Sequence, residues 1–199
     1  MLTVRLLIAL CHIHGLESKS IDFVLAFPQA DLDIDIWMEL PLGFVVDSSA
    51  TDNQREHVLH LKKSLYGLKQ SRLNWFEKLK EGLMSRGFKP SGIDPCFYLI
   101  EGMVVLTYVD DCIIASRSMR SIDAFVNSMK NGPEKFILTD EGDVNKFLGI
   151  EITQIDDKSY ELSQPFLIDR ILSFLGLCNN EFQCDANPCS TPVQKGLLH

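Results

Sequence analysis

Apolar residues recur along this chain in two rhythms, and the change from one to the other marks its elements. Val4, Leu7, Ile8 and Cys11 fall at helical spacing, predicting a helix over residues 3–14 that stops at Gly15. Ile21, Phe23 and Leu25 alternate with Asp22 and Val24, the period of a strand over 20–25. A polar, acidic segment follows at 29–35, then a short strand at 36–40 closed by Pro41 and Gly43. Residues 46–57 read as loop and 58–61 as a short strand. Trp75, Phe76, Leu79, Leu83 and Met84 form one apolar stripe, predicting a helix over 73–86 with Gly87 behind it. Strands at 97–100 and 103–109 are joined by the two-residue Glu101-Gly102. Ser121 precedes a helix whose face carries Ile122, Phe125, Val126 and Met129, ended by Gly132-Pro133. Residues 147–155 and 159–163 read as a hairpin, and Pro165 opens a last helix through Leu175, with Gly176 after it. Helices interleaved with hairpins, without βαβ regularity, predict an α+β fold: an antiparallel sheet with helices on one side.

The stretch 103–116, MVVLTYVDDCIIAS, departs from simple alternation. Its flanks are β-branched, aromatic and too short for helices, so they predict buried strands with Asp110 and Asp111 at a tight reversal between them. Neighbouring side chains of an extended strand point to opposite faces, but at a turn two adjacent carboxylates can converge. Like charges this close repel, and burial adds to the cost of ionising both, a penalty that a divalent cation removes. Asp156-Asp157 is a control within the same chain. Its neighbours Gln154, Lys158 and Ser159 are polar, so that pair reads as a solvated hairpin turn with no function.

At 199 residues, with 46% hydrophobic and 23% charged, the chain has the make-up of one packed domain, not a disordered one. The apolar run at residues 6–11 is too short to span a bilayer and no signal-peptide cleavage pattern follows it, so an intracellular chain without membrane contact is expected. The six cysteines include no C-x-x-C pair and read as reduced thiols, and the histidine pairs 12/14 and 57/60 read as helix-face and strand-face residues. The net charge of −8 argues against a simple nucleic-acid binder, but its distribution is uneven. Residues 55–90 carry nine bases against three acids, a local excess suited either to phosphates or to a solvated helix face.

Asp22 is the third acid of interest, the lone charge in an otherwise apolar strand, Ile21-Asp22-Phe23. Two readings stay open: an acid at a strand end facing water, or a carboxylate beside the Asp110-Asp111 turn. In the second case three carboxylates can hold two Mg²⁺ ions about 4 Å apart, the apparatus of phosphoryl or nucleotidyl transfer.

The ordered series of motifs resembles the reverse transcriptase of Ty1/copia-type LTR retrotransposons. TVRLLIALCHIHGL, IDFVLAF with DLDIDIWMELPLGF, LYGLKQSRLNWFEKL, DPCFYLI, YVDD, KFLGIEI and ELSQPFLIDRIL appear in the family's order over nearly the whole chain. The resemblance implies a right-hand polymerase palm with partial fingers and the start of a thumb, copying an RNA or DNA template with its primer from dNTPs. Asp22, Asp110 and Asp111 match the catalytic, metal-holding acids, with the Phe23 backbone as a further metal contact. Mg²⁺ is the implied cofactor, as two ions, with Mn²⁺ as a substitute. Phe23, Val24, Leu25 and Ala26 match the segment whose amides approach the triphosphate. Phe27, otherwise readable as a plain core aromatic, matches the ring that excludes a 2′-hydroxyl. Gly67 and Gln70 match the nucleotide-pocket motif. Tyr108, the hairpin Phe147-Leu148-Gly149, Lys69 and Arg72 match or neighbour primer and template contacts.

The sequence departs from the family at Ser71-Arg72, where Ala-Pro is usual, and at Pro28, where a residue such as Leu is typical. The implied division is a palm with partial fingers at 1–163, a first helix toward the thumb at 164–177, and a linker or truncated end at 178–199. Most of the fingers are expected before Met1, and RNase H and integrase segments outside the chain. A cytoplasmic particle is the location the resemblance implies. Two other readings stay open: an inactive fragment that retains nucleic-acid binding, and a metal-dependent hydrolase built on the same acids.

Overall fold

The computed structural model describes residues 2–44, 57–156 and 159–177. Its first half runs α1 (Leu2–His14), β1 (Glu17–Phe23), α2 (Ala26–Gln29), β2 (Asp31–Glu39), β3 (Val58–Lys63), α3 (Ser71–Met84), β4 (Lys89–Pro90) and β5 (Phe97–Ile100). The second half adds β6 (Met103–Tyr108), β7 (Asp111–Ser116), α4 (Met119–Asn131), β8 (Leu138–Gly142), β9 (Lys146–Phe147), β10 (Ile150–Asp156), β11 (Ser159–Ser163) and α5 (Pro165–Phe174). Six strands pair antiparallel in the order β4-β5-β6-β7-β1-β8, β11-β10-β9 form a three-stranded sheet, and β2-β3 a separate ribbon.

The unbroken apolar run in β7 explains how the main sheet is covered. Cys112 and Ile114 face one side with Ile21, Phe23 and Val105, against Trp75, Leu79 and Leu83 of α3 and Ile122, Phe125, Val126 and Met129 of α4. Ile113 and Ala115 face the other side with Phe97 and Leu106, against Val4 and Leu7 of α1 and Phe147, Ile150 and Ile152. A strand apolar on both faces requires cover on both. The expectation of helices on one side is therefore corrected: α1 and the β9–β11 sheet occupy the face opposite α3 and α4. Each large apolar side chain fully buried here contributes about 1.5–3 kcal/mol.

Local corrections have local causes. The first strand ends at Phe23, because Leu25 adopts φ 51 and turns the chain into α2, leaving its own side chain exposed. That strand also begins earlier, at Glu17, so Asp22 is not its lone charge; Lys19 is held there by Asp123 and Asp140 at 2.7 and 2.8 Å. The acidic 31–35 segment is strand, pairing with β3 across an irregular register between Asp31 and Ile36. Helix α3 starts at Ser71, whose buried hydroxyl donates to the Leu65 carbonyl at 2.6 Å. Helix α4 is capped at Ser118, not Ser121. The strand expected at 147–155 is broken: Leu148 at φ 51 and Gly149 at φ 75 make a two-residue turn, with Phe147 paired to Ile150. Residues 45–56, Asp157 and the 178–199 tail lie outside the described residues.

Gly82 shows how tightly α3 seats. A Cβ there would lie 2.5 Å from Cζ of Phe136, a ring that packs edge-on against Phe23 and Trp75. Alanine gains at most about 1 kcal/mol of helix propensity, whereas forcing a well-packed ring aside costs about 1–3 kcal/mol. Gly82→Ala is expected to lower the melting temperature by a few degrees, roughly 2–6 °C, in a thermal melt.

Candidate catalytic carboxylates

Strand register decides where each acid points. Asp111 pairs with Tyr108 on one side and with Asp22 on the other, and Asp22 pairs onward with Thr139. Cys112 and Ile21 face α3 and α4, so their neighbours Asp111 and Asp22 project from the opposite face. Tyr108, Asp111, Asp22 and Thr139 thus form one row across the end of β6, β7, β1 and β8. Asp22 lies one residue before the end of β1, half-buried, and the neighbouring strand brings Asp111 opposite it.

Asp110 sits beside the row in the two-residue turn Val109-Asp110. Its carbonyl accepts the Phe23 N–H at 2.8 Å, tying the turn to β1. Its Oδ2 accepts the Tyr66 hydroxyl at 3.0 Å, while Oδ1 is buried and has no hydrogen-bond partner. Val109 takes φ 54, an uncommon conformation for a β-branched residue, and the Trp75 indole N–H donates to its carbonyl at 2.7 Å.

The electrostatics are those of an unneutralised anionic centre. Burial first, then Asp110, raises the Asp22 pKa above the ordinary Asp value. Burial, then Asp22, Glu141 and Asp110, raise that of Asp111. Tyr66 is pushed up to about 12, chiefly by desolvation and then by its bond to Asp110. Half-buried carboxylates that repel one another, with one orphaned oxygen, make a donor set suited to a hard divalent cation. Among the described residues, no three acidic, histidine or cysteine side chains stand close enough to enclose an ion. The acids are therefore fitted by type, register and charge, with Asp110 engaged by Tyr66.

The remaining expected residues divide. Phe27, Lys69, Arg72 and Tyr108 line one cavity of about 580 Å³ together with Trp75, Phe76 and Val109. Phe27 also stacks on Tyr66, ring centroids 4.5 Å apart. Gly67 follows Tyr66 at φ 98, and Gln70 caps α3 through its carbonyl, which accepts Asn74 N–H at 2.9 Å. The Phe23 and Val24 amides are already spent on the Asp110 and Ile137 carbonyls, and the Ala26 amide faces the Tyr66 hydroxyl, so three of the four amides of 23–26 are engaged within the protein. Phe147 is buried in the core beside α1, Leu148 is half-buried against the same cluster, and Gly149 is exposed. The basic 55–90 region is also divided: Arg86 donates to the Gly82, Ser128 and Glu134 carbonyls and Lys63 pairs with Asp31. His60 lies between Asp35 and Lys62 and stacks on Trp37, on the β2–β3 ribbon.

Sequence reasoning missed Tyr66, the support role of Trp75, and Gln29. The Gln29 side chain joins both the Val24 and Ile137 carbonyls at 2.8 Å and accepts the Ile137 N–H, stitching the corner after β1 to the approach of β8. Only the following glycine, at a position of positive φ, set Tyr66 apart.

The family model described as reverse transcriptase (RNA-dependent DNA polymerase) matches residues 1–195. The retrovirus-related Pol polyprotein of transposon TNT 1-94 from Nicotiana tabacum is 30% identical over 199 aligned residues, 97% of this chain and 14% of that polyprotein. The Pol polyprotein of transposon RE1 from Arabidopsis thaliana is 26% identical, over 96% of this chain and 12% of its own length. A putative transposon Ty5-1 protein of Saccharomyces cerevisiae is 29% identical over 69% of this chain and 44% of that protein. No solved structure matches the chain. The chain thus spans about an eighth of the plant polyproteins it matches. No helix among the described residues is long and apolar enough to cross a membrane. With the acids in one cross-strand row and the match running from residue 1 to 195, the chain belongs to the reverse transcriptase family, in the branch of Ty1/copia-type transposon Pol polyproteins.

Proposed function

We propose that this chain is the palm of an RNA-directed DNA polymerase, with part of the fingers, and that it transfers nucleotides from dNTPs to a primer 3′-hydroxyl on an RNA or DNA template. The observation that carries the reading is the pairing of Asp22 with Asp111 beside the Asp110 turn. Asp22, Asp110 and Asp111 would hold two Mg²⁺ ions, or Mn²⁺ in their place, with the Phe23 backbone as a further ligand. When bound, such ions lower the pKa of an attacking hydroxyl and stabilise charge on a leaving pyrophosphate.

The chain's own residues supply placement. Tyr108, next to Asp111 in the row, receives the primer end. Phe27, its ring held by Tyr66, closes the sugar side of the pocket against a 2′-hydroxyl. Gly67 and Gln70 shape the nucleotide pocket, and the 23–26 segment faces the triphosphate. Lys69 and Arg72, on the rim of the cavity that Phe27 and Tyr108 share, meet template or primer phosphates. The Phe147-Leu148-Gly149 turn offers backbone and Leu148 to the primer, since its phenylalanine is core. In this reading α5 begins the thumb, and RNase H and integrase segments belong to the longer polyprotein.

The test is template-directed primer extension in Mg²⁺ or Mn²⁺, comparing the chain with Asp110→Asn. Extension that the substitution abolishes is the expected result. A wild-type chain that extends nothing, yet binds template–primer with a steep salt dependence, would establish the inactive-fragment reading instead. Product released from nucleotides without a primer would favour a hydrolase.

A further inference from the structure

Tyr66 joins two parts of the site that serve different ends. Its hydroxyl donates to Asp110 Oδ2 at 3.0 Å, and its ring stacks on Phe27, centroids 4.5 Å apart. It reaches both from the loop between β3 and α3, where Gly67 at φ 98 supplies a turn that a side chain disfavours. The other Asp110 oxygen is buried without a partner, although a carboxylate buried this way ordinarily finds one. Among the described residues, the acids of the row and the turn do not close into a cage.

We propose that Tyr66 is a positioning residue that latches Asp110: its hydroxyl holds one carboxylate oxygen beside Phe27, so that drawing this acid together with Asp22 and Asp111 around a divalent cation costs that bond. The inference rests on reading these three acids as ligands of a divalent cation. The unpartnered Oδ1 is open to a cation as it stands, but turning the carboxylate toward Asp22 and Asp111 takes Oδ2 away from the Tyr66 hydroxyl, so gathering the three acids breaks that bond. The Phe27 stack keeps the ring, and therefore the hydroxyl, in reach when the bond breaks. Capture of a cation is then felt at the ring that closes the sugar side of the pocket. Tyr66→Phe removes the oxygen and keeps the ring, so it separates the latch from the stack.

The experiment is a Mn²⁺ titration of the full chain followed by electron paramagnetic resonance, without nucleotide or template, on wild type, Tyr66→Phe and Asp110→Asn. Tyr66→Phe is expected to bind Mn²⁺ about threefold more tightly, the worth of one exposed hydrogen bond no longer broken. Asp110→Asn is expected to lose the site. If Asp110→Asn loses binding and Tyr66→Phe binds no more tightly than wild type, the latch is overturned and the cation reading stands. If Asp110→Asn binds as wild type does, the cation reading fails and the latch with it. A purely structural role for Tyr66 would leave the affinity unchanged or weakened, never tightened.

Discussion

Asp111→Asn is expected to abolish primer extension, by on the order of 10³-fold or more, while making the cation-free chain more stable at neutral pH. The two effects share one cause. Asp111 stands directly across from Asp22, and burial together with Asp22, Glu141 and Asp110 raises its pKa above the ordinary 3.8. The folded carboxyl therefore keeps its proton to a higher pH than the unfolded one. Its contribution to stability is fully present below the ordinary Asp range and is lost as pH rises through the raised value. Asp22 behaves in the same sense, through burial and Asp110. As pH rises through those raised values the acids ionise and repel one another, and an amide at position 111 relieves that repulsion. The melting temperature should rise by roughly 1–3 °C at pH 7 and not at all below about pH 3.5. Mg²⁺ should stabilise the wild type by mass action and the variant much less. Melts at both pH values, with and without Mg²⁺, check this. Equal melting of the two proteins at pH 7 without cation would remove the argument that the acids repel.

The second large effect belongs to Trp75. Its side chain is 2% exposed, sits edge-on to Phe23 at 5.2 Å, and donates to the Val109 carbonyl at 2.7 Å. It thus supports the Val109-Asp110 turn from the face opposite the acids, holding a residue at φ 54 that has no intrinsic preference for it. Trp75→Ala is expected to cost about 3–5 kcal/mol in chemical denaturation, from lost burial and the cavity left behind. Trp75→Phe separates packing from aim. It keeps most of the apolar contact and loses one hydrogen bond, about 0.5–1.5 kcal/mol. In that variant, extension activity should fall more than stability does, because Val109 relaxes and carries Asp110 with it. A Trp75→Phe chain with unchanged extension would show that the indole bond does not aim the turn.

These two residues also mark how far the sequence could be read. The 103–116 run, with β-branched flanks around two acids, allowed only one local arrangement: strand, tight turn, strand. The amphipathic faces of α3 and α4 were legible for the same reason, since a 3.6-residue period of apolar positions has one way to be buried. Element ends were less legible. Leu25 and Leu148 adopt positive φ without being glycine, and nothing in a leucine announces it. The split of 147–155 into two strands and the early end of the first strand both follow from those leucines.

The order of motifs, the strand-turn-strand around Asp110 and Asp111, and membership in the reverse transcriptase family were determined by the sequence alone, because local periodicity and motif order are properties of the chain itself. Tertiary structure decided which residues meet. Asp22 faces Asp111 because β1 inserts beside β7, 89 positions away in number, in a register where a one-residue slip would send the acid into the core. Tyr66 reaches Asp110, and Trp75 reaches Val109, across separations that no spacing rule encodes. Long-range pairing is set by how two apolar faces of one sheet are buried at once, and that is a property of the packed whole.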